Sequence, residues 1–187
     1  YELIKKALST GLTQIAVHAI GDACVSTALD VFERAASEGI DIRGWRIEHA
    51  EMLRPEEIDR IARLGVVPIM QPNFHDDATH YHDRLGSRVE WINPFRTVLN
   101  AGIALTFGSD GMPEGPLYGL NEADRGATFP HQQITRLEAI ASYTIAGARL
   151  VHAESDRGTL QKGKWANLVV LGQNILAADE IKKTQVL

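Results

Sequence analysis

The sequence predicts an α/β protein in which parallel strands alternate with helical crossovers. Short, mostly apolar runs, typical of strands buried on both faces, alternate with longer segments that have helical periodicity. This order fits either a doubly wound open sheet or a section of a (β/α)8 barrel. A doubly wound dinucleotide site needs a glycine-rich turn after its first strand. Gly21 is the one glycine in that turn, so we do not expect such a site.

Each predicted element follows from its local pattern. Val25, Leu29 and Phe32 recur at helical spacing in the second helix, and Pro55 opens the third helix, where its missing N–H costs nothing. The predicted helices cover residues 1–9, 23–38, 55–64, 93–100 and 137–152, and the predicted strands cover residues 14–19, 45–50, 66–70 and 103–107.

Three segments lack this periodicity. Residues 73–90 are polar and rich in His and Asp, which predicts a long loop or lid with at most one short helix, and residues 111–119 predict another loop. Residues 158–172 predict a β-rich tail. We therefore predict two units, residues 1–157 and residues 158–187.

The composition excludes several classes of function. The chain has 187 residues, of which 44% are hydrophobic and 23% charged, as in ordinary globular proteins. Its net charge of −5 disfavours nucleic acid and anionic membranes as partners. A single cysteine, Cys24, excludes an internal disulfide, fits a reducing cytoplasm and is expected to be a buried helix residue. The chain begins at Tyr1 without a leader, and we expect it to be part of a longer protein.

Three residues with metal-binding side chains follow predicted strands. His18 ends the first strand, His49 ends the second, and Asp110 follows the fourth. In a (β/α)8 barrel the carboxyl ends of all strands meet on one face, where catalytic residues lie. Two imidazoles and a carboxylate suit zinc or a similar divalent ion, which would activate a water molecule while a carboxylate moves its proton. Each residue alone is weak evidence, but the three together predict a metal site.

Other polar residues have a structural interpretation as well as a functional one. Asp22 either caps a helix or orients His18, and Gln71, after the third strand, could contact substrate. Glu48 shares a strand face with Arg46, which predicts an ion pair between them. The remaining acidic and histidine residues of the polar segment are explained equally well by a solvated loop; they are His75, Asp76, Asp77 and His80.

Six segments together resemble amidohydrolase family 3, which includes N-substituted formamide deformylases and YtcJ-like hydrolases. They are V-H-A-I-G-D (17–22), R-I-E-H-A-E (46–51), M-Q-P (70–72), F-G-S-D (107–110), Y-T-I-A-G-A (143–148) and G-T-L-Q-K-G-K-W-A-N-L-V-V-L (158–171).

The resemblance implies a fold, a cofactor and an activity. The strands would be numbers five to eight of a TIM (β/α)8 barrel, and the tail would belong to a composite β-sandwich. His18, His49 and Asp110 would bind a divalent metal ion, most readily Zn²⁺, and Asp110 would also be the general acid/base. The implied reaction is hydrolysis of non-peptide carbon–nitrogen bonds in small amides or formamides.

The family's His-x-His pair on strand one and its bridging carboxylate or carboxylated lysine on strand four are absent from this sequence. His80-Tyr81-His82 has the first spacing but lies in the polar segment, so we expect surface residues there. We therefore expect the isolated chain to be inactive and to require the missing N-terminal half. Four strands cut from a barrel leave two open edges and apolar strand faces, which predicts a homo-oligomer. A non-catalytic binding or assembly module, a deaminase and a cyclic amidase remain alternatives.

Overall fold

The fold is α/β with one parallel sheet, as the sequence predicts. The computed structural model describes residues 1–111, 115–126 and 129–187. Hydrogen-bonded neighbours in the sheet follow the chain order, β1-β2-β3-β4. This order contains no reversal, so it is singly wound and differs from the doubly wound alternative. The strands are β1 (Ala16–Ala19), β2 (Arg46–His49), β3 (Val67–Met70) and β4 (Thr106–Phe107).

The helices connect and cover these strands. They are α1 (Glu2–Ser9), α2 (Asp22–Ser37), α3 (Pro55–Leu64), α4 (Asp77–His80), α5 (His82–Leu85), α6 (Phe95–Asn100), α7 (Pro116–Asn121), α8 (Arg136–Tyr143) and α9 (Ile145–Leu150). Shorter 3₁₀ turns cover Pro72–Phe74, Gly86–Trp91, Pro130–Gln132 and Ile181–Lys183, and a π-helical turn covers Glu122–Gly126.

The structure corrects three predicted elements. The last long helix is interrupted at Thr144, whose φ of −124° and ψ of −87° are not helical, so α8 and α9 are separate. The polar segment 73–90 contains two short helices and parts of two 3₁₀ turns, more helix than predicted. Of the predicted loop 111–119, residues 112–114 lie outside the described residues and the last part forms the start of α7.

The predicted β-rich tail is also wrong as secondary structure. The described tail contains no strand; its β-type contact is an isolated bridge between Leu171 and Val186. A strand needs a neighbour along its length for its backbone N–H and C=O groups, and among the described residues the tail is paired in this way only at residues 170–172, which bond to residues 185–187. Its apolar side chains Leu160, Trp165 and Leu168 are exposed. The division into two units stays a prediction.

The core packs helices against one face of the sheet. Phe32 of α2 and Trp45, just before β2, are fully buried with their rings edge to face at 5.1 Å. The Trp45 indole N–H donates to the carbonyl of Thr13, so this large side chain is buried with its polar group satisfied. This contact therefore fixes where β1 and β2 begin.

The opposite face of the sheet is polar at β1 and β2. Ala16 and His18 of β1 are exposed, and Arg46 and Glu48 of β2 form the predicted ion pair at 2.7 Å. Ile47 and Phe107, which we expected to be exposed by the missing half, are buried in the core instead. Val67 and Ile69 share the face of Arg46 and Glu48 by register, so apolar strand residues remain on that face.

Two further observations concern the chain as a whole. Cys24 is exposed on α2, so the expectation of a buried cysteine is wrong: it lies on the side of the helix away from Val25, which packs in the core. Within the described residues, no helix is both long and apolar enough to cross a membrane.

Candidate active site

His18, His49 and Asp110 lie side by side at the carboxyl ends of the strands. The rings of His18 and His49 are edge to face with centroids 4.6 Å apart. His49 Nε2 lies 3.8 Å from Asp110 Oδ2. The His49 side chain is only 12% exposed, whereas Asp110 is 55% exposed and His18 lies on the polar face of β1 and β2. The three strand-end residues singled out from the sequence are thus neighbours, although β3 lies between β2 and β4.

A left-handed backbone brings His49 to this position. His18 is the register partner of Glu48, so regular alternation would place His49 on the other face of the sheet. His49 has φ 74° and Ala50 has φ 46°, which end the alternation at the last residue of β2. Asp110 has φ 53°. Left-handed conformations cost a non-glycine residue about 1–3 kcal/mol and cluster at functional sites.

The donor types around His49 fit a divalent metal ion. Its Nδ1 is buried and has no hydrogen-bond partner among the described residues, which is costly for a polar atom unless a ligand satisfies it. Imidazole and carboxylate donors suit zinc and related ions. However, in the part of the chain that the structure describes, no three His, Cys, Asp or Glu side chains converge closely enough to hold an ion as they stand.

A cleft of about 370 Å³ opens beside His49 and Asp110. Its walls are mostly apolar and include two aromatic rings, and two carboxyl groups besides that of Asp110 lie in it. The remaining lining residues are Ile20, Glu51, Met52, Phe74, Asp77, Tyr81, Leu85 and Ile92. A mostly apolar cleft with a few grouped polar side chains is the usual form of a small-molecule site.

The carboxyl groups of Glu51 and Asp77 are in contact inside this cleft. Glu51 is 7% exposed. Burial, followed by the charge of Asp77 and a hydrogen bond with it, raises the pKa of Glu51 to about 8. Two carboxylates in contact repel each other unless a proton or a cation lies between them. The sequence pattern does not single out this pair: it leaves Asp77 open between a functional cluster and a solvated loop, although Glu51 in the otherwise apolar run A-E-M-L is a signal of a buried carboxyl group.

The segment over residues 72–91 is tied to the strand ends by backbone and ionic contacts. Met52 and Ile92 form an antiparallel bridge, and the Asn93 N–H donates to the Glu51 carbonyl at 2.8 Å. His75 Nε2 lies 3.3 Å from the buried carboxylate of Glu122. These contacts hold Asp77 against Glu51, so one side of the segment forms a wall of the cleft, while residues 79–84 and 86–88 are exposed to solvent.

The other candidate residues lie in different surroundings. Asp22 is not the helix cap, which is Gly21, and its carboxylate lies 3.7 Å from Arg88 with no described contact to His18. Gln71 is buried and donates to the Ile69 carbonyl. His80 and His82 are exposed, as expected for surface residues. A role of Asp22 or Gln71 toward metal or substrate stays a prediction.

The family model described as the amidohydrolase family matches residues 1–187. The chain belongs to the amidohydrolase family. It is 34% identical over 91% of its length to Protein LONG AFTER FAR-RED 3 of Arabidopsis thaliana and 32% identical over 97% to the putative amidohydrolase YtcJ of Bacillus subtilis. It is 27% identical over its whole length to the N-substituted formamide deformylase of Arthrobacter pascens. It spans 31%, 38% and 37% of these three relatives.

The fold is also similar to that of solved hydrolase structures. An uncharacterised metal-dependent hydrolase of Pyrococcus horikoshii superposes with a TM-score of 0.83 at 31% identity, over 98% of this chain and 38% of the hydrolase chain. The resemblance to amidohydrolases inferred from the sequence motifs is thereby confirmed, and a metal-dependent hydrolase is supported in general terms.

The raised pKa of Glu51 predicts a pH-dependent stability. Between its ordinary value of 4.5 and about 8, the folded protein binds this proton more strongly than the unfolded protein does. The free energy of unfolding contributed by Glu51 therefore falls as the pH rises through this window. Glu51→Gln should gain stability relative to wild type with rising pH, measured by urea unfolding of the metal-free protein at about pH 5 and about pH 8.

Glu90→Gln, an exposed substitution of the same chemistry, is the control and should show no such trend. A stability difference between Glu51→Gln and wild type that stays constant across this range would contradict the raised pKa.

Proposed function

We propose that this chain is the C-terminal half of an amidohydrolase barrel, with β1 to β4 as barrel strands five to eight, and that the whole protein hydrolyses non-peptide carbon–nitrogen bonds. The observation that carries the proposal is the proximity of three residues: His49 lies beside Asp110 at the cleft, and the His18 ring packs against that of His49. The singly wound strand order and the similarity to a formamide deformylase support it. Small amides and formamides are the proposed substrates.

His18, His49 and Asp110 would hold a divalent metal ion in the whole protein, and we propose Zn²⁺ because two imidazoles and a carboxylate suit it. Such an ion lowers the pKa of water and polarises a carbonyl oxygen. Since three ligands do not converge in the described residues, further ligands would come from the rest of the protein. This is the reason to propose that the chain is inactive by itself.

The proton transfers fall to Asp110. Its carboxylate is more than half exposed at the edge of the cleft and lies beside His49, so water and substrate can both reach it. A carboxylate Oδ of Asp110 takes a proton from the attacking water and then delivers it to the departing nitrogen, which leaves as an amine. The His49 ring packs edge to face against His18, and its Nε2 lies 3.8 Å from the Asp110 carboxylate, so the ring limits where that carboxylate can lie.

Asp110→Asn should lower kcat/KM by at least about 100-fold, because the amide cannot carry the proton. Asparagine also tolerates the left-handed conformation, so the backbone at φ 53° is retained. The assay is hydrolysis of a small formamide by the metal-loaded whole protein. Asp83→Asn, at a fully exposed carboxylate of α5, is the control and should retain the wild-type rate. Activity of Asp110→Asn near that of wild type would exclude Asp110 as the proton carrier.

We also propose that the chain assembles through its open side, with the N-terminal half of the same protein or with a second copy. Backbone groups on the outer edge of β1 have no strand partner among the described residues, and tail side chains such as Trp165 and Val169 are more than half exposed. In sedimentation velocity at micromolar concentration, the isolated chain should form dimers or larger species. A stable monomer would contradict this proposal.

A further inference from the structure

The cleft contains an acidic pair that the proposed hydrolytic chemistry does not use. Glu51 is 7% exposed and lines the cleft together with Asp77. Among the described residues, its carboxyl group has no ion pair with a Lys, Arg or His side chain and no hydrogen bond from a backbone N–H. Other buried carboxylates of the chain do have such partners: Arg54 pairs with Glu57, and Lys182 lies 3.6 Å from Glu122. A buried carboxyl group in contact with a second, half-buried carboxyl group and without a cation is complementary to a cation from outside.

The other side chains that line the cleft also favour an organic cation. The aromatic rings of Phe74 and Tyr81 line it, and aromatic faces attract ammonium groups. Ile20, Met52 and Ile92 provide apolar contact for a carbon chain. The combination of a carboxyl pair, aromatic rings and an apolar wall favours a molecule with both an alkyl part and an ammonium group.

We propose that Glu51 and Asp77 bind an ammonium group at the far end of the substrate, so that the substrate class is an amide or formamide of an aliphatic diamine. The inference rests on the proposed hydrolytic function for the position of the carbonyl group. The new element is the ammonium group at the end of the substrate that lies away from the carbonyl group.

The spacing along the chain supports this assignment. Glu51 follows His49 by two residues, so their Cα atoms lie within about 7 Å of each other. A short alkyl chain spans this distance, with the carbonyl carbon at His49 and Asp110 and the ammonium group at the acidic pair. Both ends of such a molecule fit within the cleft of about 370 Å³.

A purely structural role of the pair makes a different prediction. If Glu51 serves only to hold α4 through a hydrogen bond to Asp77, a glutamine in its place still donates that bond, and no substrate is affected selectively. If the pair binds a cation, Glu51→Gln removes one carboxyl group from the site and weakens binding of charged molecules in particular.

The test compares two substrates of equal length with the metal-loaded whole protein. One is the monoformyl derivative of a five-carbon diamine, and the other is N-hexylformamide, in which a methyl group replaces the ammonium group. The wild-type protein should prefer the charged substrate by about ten-fold or more in kcat/KM, the effect of one charge-assisted hydrogen bond. Glu51→Gln and Asp77→Asn should each bring this ratio close to one, whereas Glu90→Gln should leave it unchanged.

A wild-type ratio near one, or a ratio that survives both substitutions in folded protein, would overturn the inference. If neither formamide is hydrolysed, the proposed function fails, and the inference is decided by calorimetry with the free five-carbon diamine and with hexylamine. Tighter binding of the diamine that is lost in Glu51→Gln and in Asp77→Asn supports the acidic pair as an ammonium site. Equal binding of the two amines contradicts it.

Discussion

The left-handed backbone at the ends of β2 and β4 is the constraint on which the candidate site depends. His18 and His49 would occupy opposite faces of a regular sheet, but the positive φ angles of His49 and Ala50 bring the two rings into contact. Asp110 reaches His49 from β4 with the same type of backbone. The buried core around Trp45 and Ile47 stabilises β2 up to this turn, so the strain is offset by packing on the other face.

The chain that leaves this turn also builds the cleft. Glu51 and Met52 continue from Ala50 and bond to the segment after α5, through the Asn93 N–H and the bridge to Ile92. One short stretch, residues 49–52, therefore supplies a candidate metal ligand, an acid of the ammonium site and an apolar wall. The proposed metal site and the proposed ammonium site are therefore placed relative to each other by the same backbone. A movement of this stretch would change the distance between the two sites.

The sequence predicted the parallel strands and the three strand-end residues, because parallel strands place their carboxyl ends on one side, but its pattern alone left the strand order open between a doubly wound sheet and a barrel section. It also predicted the Arg46–Glu48 ion pair, because side chains two residues apart on a strand lie on the same face. It did not predict the wall formed by residues 72–91, since the contacts that place half-buried Asp77 against buried Glu51 join residues distant in the chain. The prediction of a β-rich tail was wrong for a different reason. Residues 158–172 have the β pattern, but among the described residues no strand lies beside them to complete a sheet.

Metal analysis of the whole protein tests the account most directly. Substitution of His49 by asparagine keeps a residue that tolerates the left-handed backbone but removes the imidazole donor. The account predicts that wild-type protein and the exposed-site control His82→Asn bind a divalent ion, and that His49→Asn loses most of it. Equal metal content and equal affinity in His49→Asn and wild type would contradict the assignment of His49, and with it the proposed site.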